Sequence, residues 1–197
     1  MSPLTASKRK SLRKEIRVIG IDDTSFDKFK DRQTRAIGVI FRGGNFLDGV
    51  VSVVVRVDGD DSTEKLARMV NSCKFKPQLR CIMLDGIAVG GFNVVDIHAL
   101  SEKTKLPVIV VVRDYPDFSK IFAALKKLGF YSKRKLMEKA GKPIRMGKVY
   151  VQLCGITEEK AKEILEITCT RSYLPEPIRV AHLIGQGIVY GQSKGRA

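Results

Sequence analysis

The pattern of predicted elements changes once along the chain, and this change restricts the fold more than any other feature. Three strand-like segments come first, Ile16–Asp23, Thr34–Arg42 and Phe46–Val57, and a short glycine turn suited to a hairpin joins the last two. From Asp58 onward helices and strands alternate, in the order β-β-β-α-β-α-β-α. A meander followed by right-handed crossovers places the fourth strand beside the first. The sequence therefore predicts an α/β protein with a mixed five-stranded sheet and helices on both faces.

Two of the predicted strands end on an aspartate. The apolar runs before Asp22 and Asp85 read as buried strands, and each aspartate emerges at a carboxyl end, where open α/β sheets place their ligands. If the two strands are neighbours, their ends lie about 5 Å apart. Two carboxylates there could share a divalent cation that prefers oxygen ligands. Either aspartate alone fits an ordinary turn after a strand, but the pair favours a metal site.

A metal site of this kind usually has a third carboxylate, and an acidic loop before the first helix offers several. Asp61 and Glu64 have the spacing of a helix capping box, which assigns Asp61 to the helix start. Asp60 is therefore the preferred third carboxylate, with Glu64 as the other candidate. Asp23, next to the first aspartate, either assists the site or is simply solvated.

Three basic or titratable residues could complete the site. Arg113 ends the fifth strand and could hold a phosphate oxygen, or could pair with a nearby acid on the surface. His182 lies one turn into the last predicted helix, with Arg179 on the same face. Both could point toward the carboxylates and bind metal, water or phosphate, although a structural core histidine is the alternative.

The charge of the chain points to a polyanionic partner. The formal net charge is +15, with a sequence pI near 9.8, and such an excess attracts nucleic acid first. The segment Tyr131–Lys148 contains one acid among many bases and is predicted to be an exposed basic connection. It is either a phosphate-contacting surface or a solvated loop. Its predicted nucleic-acid contacts are Lys133, Arg134, Lys135 and Arg145.

The remaining features restrict the class of protein. No apolar run is long enough to cross a bilayer, and neither Gly-x-Gly-x-x-Gly nor a Walker pattern is present, so we expect no membrane or nucleotide cofactor. The four cysteines lack the spacing of a zinc module and are interpreted as reduced thiols of a cytoplasmic protein. The predicted organisation is a basic arm (1–15), one domain (16–190) that includes a C-terminal α/β extension, and a basic tail (191–197).

Three stretches resemble endonuclease V: Gly20-Ile21-Asp22, Leu84-Asp85-Gly86, and Leu174 to His182. As a whole, the chain looks most like the archaeal domain-of-unknown-function ninety-nine family, a relative of endonuclease V. The resemblance implies a ribonuclease H-like fold and Mg- or Mn-dependent cleavage of nucleic acid that contains deaminated purines. It also implies that Asp22 and Asp85 are metal carboxylates and that His182 matches a late histidine of the family. The chain differs from the family pattern at two positions. It lacks a Glu where the family has its third carboxylate, and Arg113 replaces the family's lysine on the fifth strand.

The hypothesis from sequence is a metal-dependent nuclease that hydrolyses phosphodiester bonds in DNA or RNA. The alternative is a nucleic-acid-binding protein on the same fold that has no catalytic activity. The third carboxylate distinguishes the two, because an active site requires it close to both Asp22 and Asp85.

Overall fold

The computed structural model describes residue 12 and residues 14–194, and these residues form one mixed sheet with helices on both faces. The seven strands are β1 (Arg17–Asp23), β2 (Gln33–Arg42), β3 (Phe46–Arg56), β4 (Leu79–Asp85), β5 (Val108–Val112), β6 (Ile144–Met146) and β7 (Val149–Cys154). The six α-helices are α1 (Ser62–Ser72), α2 (Ile97–Thr104), α3 (Phe118–Lys127), α4 (Tyr131–Lys139), α5 (Glu158–Thr168) and α6 (Glu176–Tyr190).

The strand order is β3-β2-β1-β4-β5-β7-β6. The meander β1 to β3 is antiparallel, whereas β1, β4 and β5 are parallel, so the predicted placement of the fourth strand beside the first is confirmed. The prediction of five strands was too low, because β7 pairs antiparallel with β5 and β6 pairs with β7. The predicted C-terminal extension therefore continues the same sheet and covers what would otherwise be an open edge at β5.

The two faces of the sheet bury separate apolar cores. Helices α1 and α2 cover one face, where Ile19, Ile21, Ile82 and Leu84 are among the buried strand residues. Helices α5 and α6 cover the other face, over Val18, Cys81, Met83, Ile109 and Val111 among others. A smaller cluster joins α3 and α4 to the loop after β4. Side chains therefore alternate between the two helix layers from Val18 to Ile21 in β1 and from Cys81 to Leu84 in β4, as the period of two requires; the pairing of the two strands shifts register before these segments.

The basic segment Tyr131–Lys148 is largely exposed, as predicted, but it is not a simple connection, and its Lys133 is buried. Its residues form α4 and the short strand β6, and Met137 packs in the α3/α4 cluster. Most of the predicted arm lies outside the described residues, which include only residues 12, 14 and 15 of it; of the predicted tail, residues 191–194 are described. All four cysteines are free. Among the described residues, no helix has the length and apolar character needed to cross a membrane.

Helix α6 lies directly against β1 because both elements have glycine at the contact. A Cβ on Gly20 would lie 2.4 Å from the carbonyl carbon of Pro177 and 2.6 Å from the backbone nitrogen of Ile178. A Cβ on Gly185 would lie 3.0 Å from the backbone oxygen of Asp23. The backbones approach so closely that α6 can present its side chains to the end of β1.

We expect Gly20→Ala to lower the melting temperature by roughly 4–10 °C, because the added methyl group would overlap backbone atoms that cannot move independently of α6. Gly187→Ala is the matched control, since a Cβ there meets no atom within 4 Å and alanine favours the helix. Thermal unfolding followed by circular dichroism measures both. Equal melting temperatures for wild type and Gly20→Ala would show that the contact is looser than described.

Candidate metal centre

Strand alternation brings three chemically active side chains to one face and one edge of the sheet. Ile21 pairs with Leu84, so the next residues of the two parallel strands, Asp22 and Asp85, lie side by side at their carboxyl ends. Both have the parity of the side chains that face α5 and α6. Arg113 directly follows β5 with the same parity as Ile109 and Val111. The α6 layer therefore covers a group of two acids and one cation.

His182 of α6 joins this group. Its Nδ1 lies 2.8 Å from Oδ2 of Asp22, and its Nε2 lies 2.9 Å from Nε2 of Gln186. Because an amide nitrogen can only donate, Nε2 of His182 accepts from Gln186. The proton of the imidazole is then on Nδ1, which donates to Asp22. One ligand atom each from Asp22, Asp85 and His182 lies within 4.8 Å of the other two. Two carboxylates and an imidazole at this separation form a donor set that a divalent cation can use.

Asp85 of this group holds its proton more tightly than an ordinary carboxyl group does. Burial raises the pKa of Asp85 to about 6, and the charge of Asp22 adds to the rise. The positive charge of Arg113 opposes it, as does that of His182 when the imidazole is protonated. The hydrogen bond to Asp22 raises the pKa of His182, against the effect of burial. A bound cation would relieve the repulsion between the carboxylates, because it interacts favourably only with their charged forms.

Asp23 is a further buried acid at the same edge. Its Oδ2 accepts a hydrogen bond of 2.5 Å from the backbone N–H of Gly90. Burial raises the pKa of Asp23 to about 6, and the charges of Asp22 and Asp85 contribute to the rise. Its strand parity directs it toward the opposite face from Asp22. The sequence analysis gave Asp23 only a secondary role. The adjacent pair Asp22-Asp23 at the end of a strand was the signal that could have indicated its importance.

The structure does not bring the preferred third carboxylate, Asp60, into the group. The Asp60 side chain is 79% exposed, and its Oδ1 lies 3.7 Å from Nζ of Lys133. Glu64 pairs with Lys103 at 2.9 Å. Asp61 precedes α1 without the predicted cap, since its Oδ1 accepts hydrogen bonds from the Arg56 backbone and the Asn93 amide. The acidic loop is therefore used to hold the start of α1 and the neighbouring loops.

Two predicted nucleic-acid contacts are occupied by internal partners. Only 3% of the Lys133 side chain is exposed, because its Nζ donates to the backbone oxygens of Asp58 and Gly59 and lies over the Phe130 ring. Arg179 forms two hydrogen bonds with the buried carboxylate of Glu176, at 2.6 and 2.9 Å, and so does not share the interaction of His182 with Asp22.

The other predicted contacts lie on the surface. Lys135 and Arg145 are exposed, and Arg134 pairs with Glu138 at 2.8 Å. Arg113 differs from these residues because its Nη2 atom is buried. This atom has no hydrogen-bond partner among the residues described here. A buried guanidinium nitrogen without an acceptor is costly, so this atom is available for an oxygen of a ligand.

We expect Asp23→Asn to gain stability relative to the wild type as the pH rises from 4 to 8. The pKa of Asp23 is raised, so its contribution to stability is fully present below its ordinary pKa of 3.8 and is lost as the pH rises through about 6. Asparagine does not titrate, and its oxygen can still accept from Gly90. Melting temperatures in EDTA should change by several degrees relative to wild type across this range. Parallel curves for the two proteins would contradict the raised pKa.

The strand order and the alternation of helices and strands define the class of the protein: an α/β protein with a ribonuclease H-like fold. A family model described as Endonuclease dU matches residues 14–189, and the chain belongs to this family. A UPF0215 protein of Methanothermobacter thermautotrophicus is 47% identical over 193 residues, which cover 95% of each chain. The predicted resemblance to an archaeal protein family is confirmed, although the relatives are called UPF0215 and the predicted family number was wrong.

Two solved structures show the same fold. A protein of unknown function from Archaeoglobus fulgidus is 38% identical, with a TM-score of 0.84 over 90% of this chain and 100% of that chain. Endonuclease V of Ciona intestinalis, in complex with DNA containing an inosine followed by a ribo-adenosine, is 16% identical. Its TM-score is 0.55, over 87% of this chain and 84% of that chain. At that level of identity the second comparison supports the fold alone, and the ribonuclease H-like prediction is confirmed.

Proposed function

We propose that the protein is a divalent-cation-dependent endonuclease that hydrolyses phosphodiester bonds in DNA or RNA at deaminated bases. The observation that carries the proposal is the group of Asp22, Asp85 and His182, with ligand atoms within 4.8 Å of one another beside a buried arginine nitrogen. The family description, Endonuclease dU, supports a nuclease and a deaminated base. The net charge of +15 supports a nucleic-acid partner.

The proposed roles follow from the position of each side chain. Asp22 and Asp85 would hold the cation, for which Mg or Mn suits the carboxylate oxygens. When bound, such an ion supplies charge neutralisation and activation of water for phosphodiester hydrolysis. His182 keeps a proton at Nδ1 and so orients Asp22, an arrangement that its bond to Gln186 fixes. If Nδ1 were instead a metal ligand, it would have to give up this hydrogen bond, so it can serve only one of the two roles at a time.

In this proposal Arg113 would hold the phosphate. Its charge acts on both Asp85 and His182, which puts it within electrostatic reach of both. Its buried Nη2 would donate to a non-bridging phosphate oxygen, which supplies the missing acceptor. Substrate binding would then remove the cost of the unpaired guanidinium nitrogen, and the phosphate would lie next to the two carboxylates.

A non-catalytic nucleic-acid-binding protein is the second candidate, and a specific observation favours it. Asp60, the preferred third carboxylate, is paired with Lys133, and Glu64 is paired with Lys103, so neither belongs to the group around Asp22. Asp23 is the acid that remains available at this edge, and its charge interacts with those of Asp22 and Asp85. The enzyme proposal therefore requires that Asp22 and Asp85 hold the cation without a third carboxylate, or with Asp23 in that role.

The test is cleavage of end-labelled oligonucleotides that are identical except for one base. Single- and double-stranded DNA and RNA carrying uracil, hypoxanthine or the normal base at one position would be incubated with Mg²⁺, with Mn²⁺ or with EDTA. Cation-dependent cleavage near the altered base, and not in its normal counterpart, is the expected result. Binding without cleavage of any substrate would exclude the enzyme for these substrates and would favour the second candidate. Cleavage that persists in EDTA would contradict the cation requirement.

A further inference from the structure

A row of four aromatic rings lies beyond the carboxyl end of β5 and continues across the surface. Tyr150 of β7 contacts Tyr115, with ring centroids 5.4 Å apart, and Tyr115 contacts Phe118 of α3 at 5.9 Å. Phe118 in turn contacts Phe122 at 5.6 Å. These four residues, called here the aromatic row, come from a strand, a loop and a helix that meet beyond the end of β5. Tyr115 is two residues beyond Arg113, so the row lies at the same end of the sheet as the candidate metal centre. Tyr150 has the opposite parity to Val149 and Val151 and so faces away from the layer of α5 and α6.

Tyr115 is the member of the aromatic row that is open to solvent. The residue is 48% exposed, whereas the other three are only partly exposed. Its ring stands at 76° to Tyr150 and at 78° to Phe118. Edge-to-face contacts with two neighbours fix the orientation of the ring without covering both of its faces. An exposed and oriented aromatic face is suited to stacking with another planar group.

The charge around the aromatic row identifies the chemistry of the partner. Residues 113–150 contain eleven Lys and Arg, of which Lys133 is buried, but only three Asp and Glu, so this fifth of the chain carries more than half of the net charge of +15. Arg134 lies over the Phe122 ring, 4.7 Å from its centroid. An apolar surface of a protein partner would gain nothing from this excess of cations. A single-stranded nucleic acid satisfies both features, because its phosphates contact the cations and its bases stack on aromatic rings.

We infer that the aromatic row is a stacking surface for unpaired bases next to the cleaved phosphate, with Tyr115 as its principal contact. This inference rests on the proposed function and specifies how the substrate lies on the protein. A phosphate held by Arg113 would place the adjoining nucleotide at Tyr115, because the two residues are separated by one position on the loop after β5. Stacking does not depend on the identity of the base, so the surface would favour a single strand or a locally opened duplex.

The test measures binding in EDTA, so that cleavage plays no part. A fluorescent single-stranded DNA of about twelve nucleotides would be titrated with wild type, Tyr115→Leu and Tyr115→Phe. Leucine keeps an apolar contact with Tyr150 and Phe118 but has no aromatic face, and phenylalanine keeps the face. We expect Tyr115→Leu to weaken binding roughly 5- to 100-fold and Tyr115→Phe to bind within about twofold of wild type. The dependence of the affinity on salt should not change, because no phosphate contact is lost.

Phe46→Leu is the matched control. Phe46 is 56% exposed and lies beside Arg42, whose guanidinium carbon is 4.5 Å from the ring centroid, but it belongs to the β2–β3 hairpin at the opposite edge of the sheet. Wild-type affinity in Tyr115→Leu, or an equal loss in Phe46→Leu, would overturn the inference and leave the proposed function intact. If the wild type neither binds nor cleaves any oligonucleotide, the proposed function fails and the inference fails with it.

Discussion

Asp85→Asn is expected to reduce cation-dependent cleavage by more than about 100-fold while leaving the fold intact. The amide keeps the shape of the side chain but removes the negative charge that would hold the cation, and even indirect partners of metal ligands are worth 10- to 100-fold. Because burial already raises the pKa of Asp85 to about 6, a neutral group suits the position, and the melting temperature without metal should equal or exceed that of wild type. Initial rates in Mn²⁺ and thermal unfolding in EDTA measure the two effects.

Asp60→Asn is the matched control for this variant, and it also tests the identity of the third carboxylate. Asp60 is exposed and contacts Lys133, so its loss should change the rate by no more than about twofold. A loss as large as that of Asp85→Asn would show that the acidic loop moves to the site when substrate binds. A rate in Asp85→Asn that equals the wild-type rate would exclude the metal centre proposed at Asp22 and Asp85.

Arg113→Ala is expected to lower kcat by about 100-fold, because a buried donor aimed at a developing charge is typically worth 10²- to 10³-fold. Arg113→Lys should recover part of the rate, since lysine restores the charge but not the planar pair of donors. The positive charge of Arg113 lowers the pKa of both Asp85 and His182. Its removal should therefore shift the acidic limb of the pH–rate profile to higher pH.

The exposed Arg145 provides the comparison for Arg113. Arg145→Ala should weaken substrate binding modestly and reduce the salt dependence by about one phosphate contact, with kcat unchanged. Steady-state kinetics at several salt concentrations separate the two variants. A role for Arg113 limited to attracting the substrate would give Arg113→Ala the same pattern as Arg145→Ala, with weaker substrate binding and an unchanged kcat.

Sequence reasoning succeeded where a local pattern determines position. The apolar runs before Asp22 and Asp85 fix both as strand ends, and the order of elements makes their strands neighbours. The period of two then puts both carboxylates on one face. Sequence reasoning failed for Lys133, since a run of basic residues usually marks a solvated surface. Helix α4 buries this lysine against two backbone carbonyl groups of the loop after β3.

The sequence by itself determined the meander, the parallel strands and the paired aspartates, because these depend on strand periodicity and chain connectivity. The tertiary structure decided which other groups join the pair. Gly20 and Gly185 let α6 approach β1 closely enough for His182 to reach Asp22, whereas Glu176 draws Arg179 away from the site. Asp60 and Lys133 meet across a separation of more than seventy residues. These pairings depend on the distances between side chains after the helices have packed on the sheet. A local sequence pattern does not contain those distances.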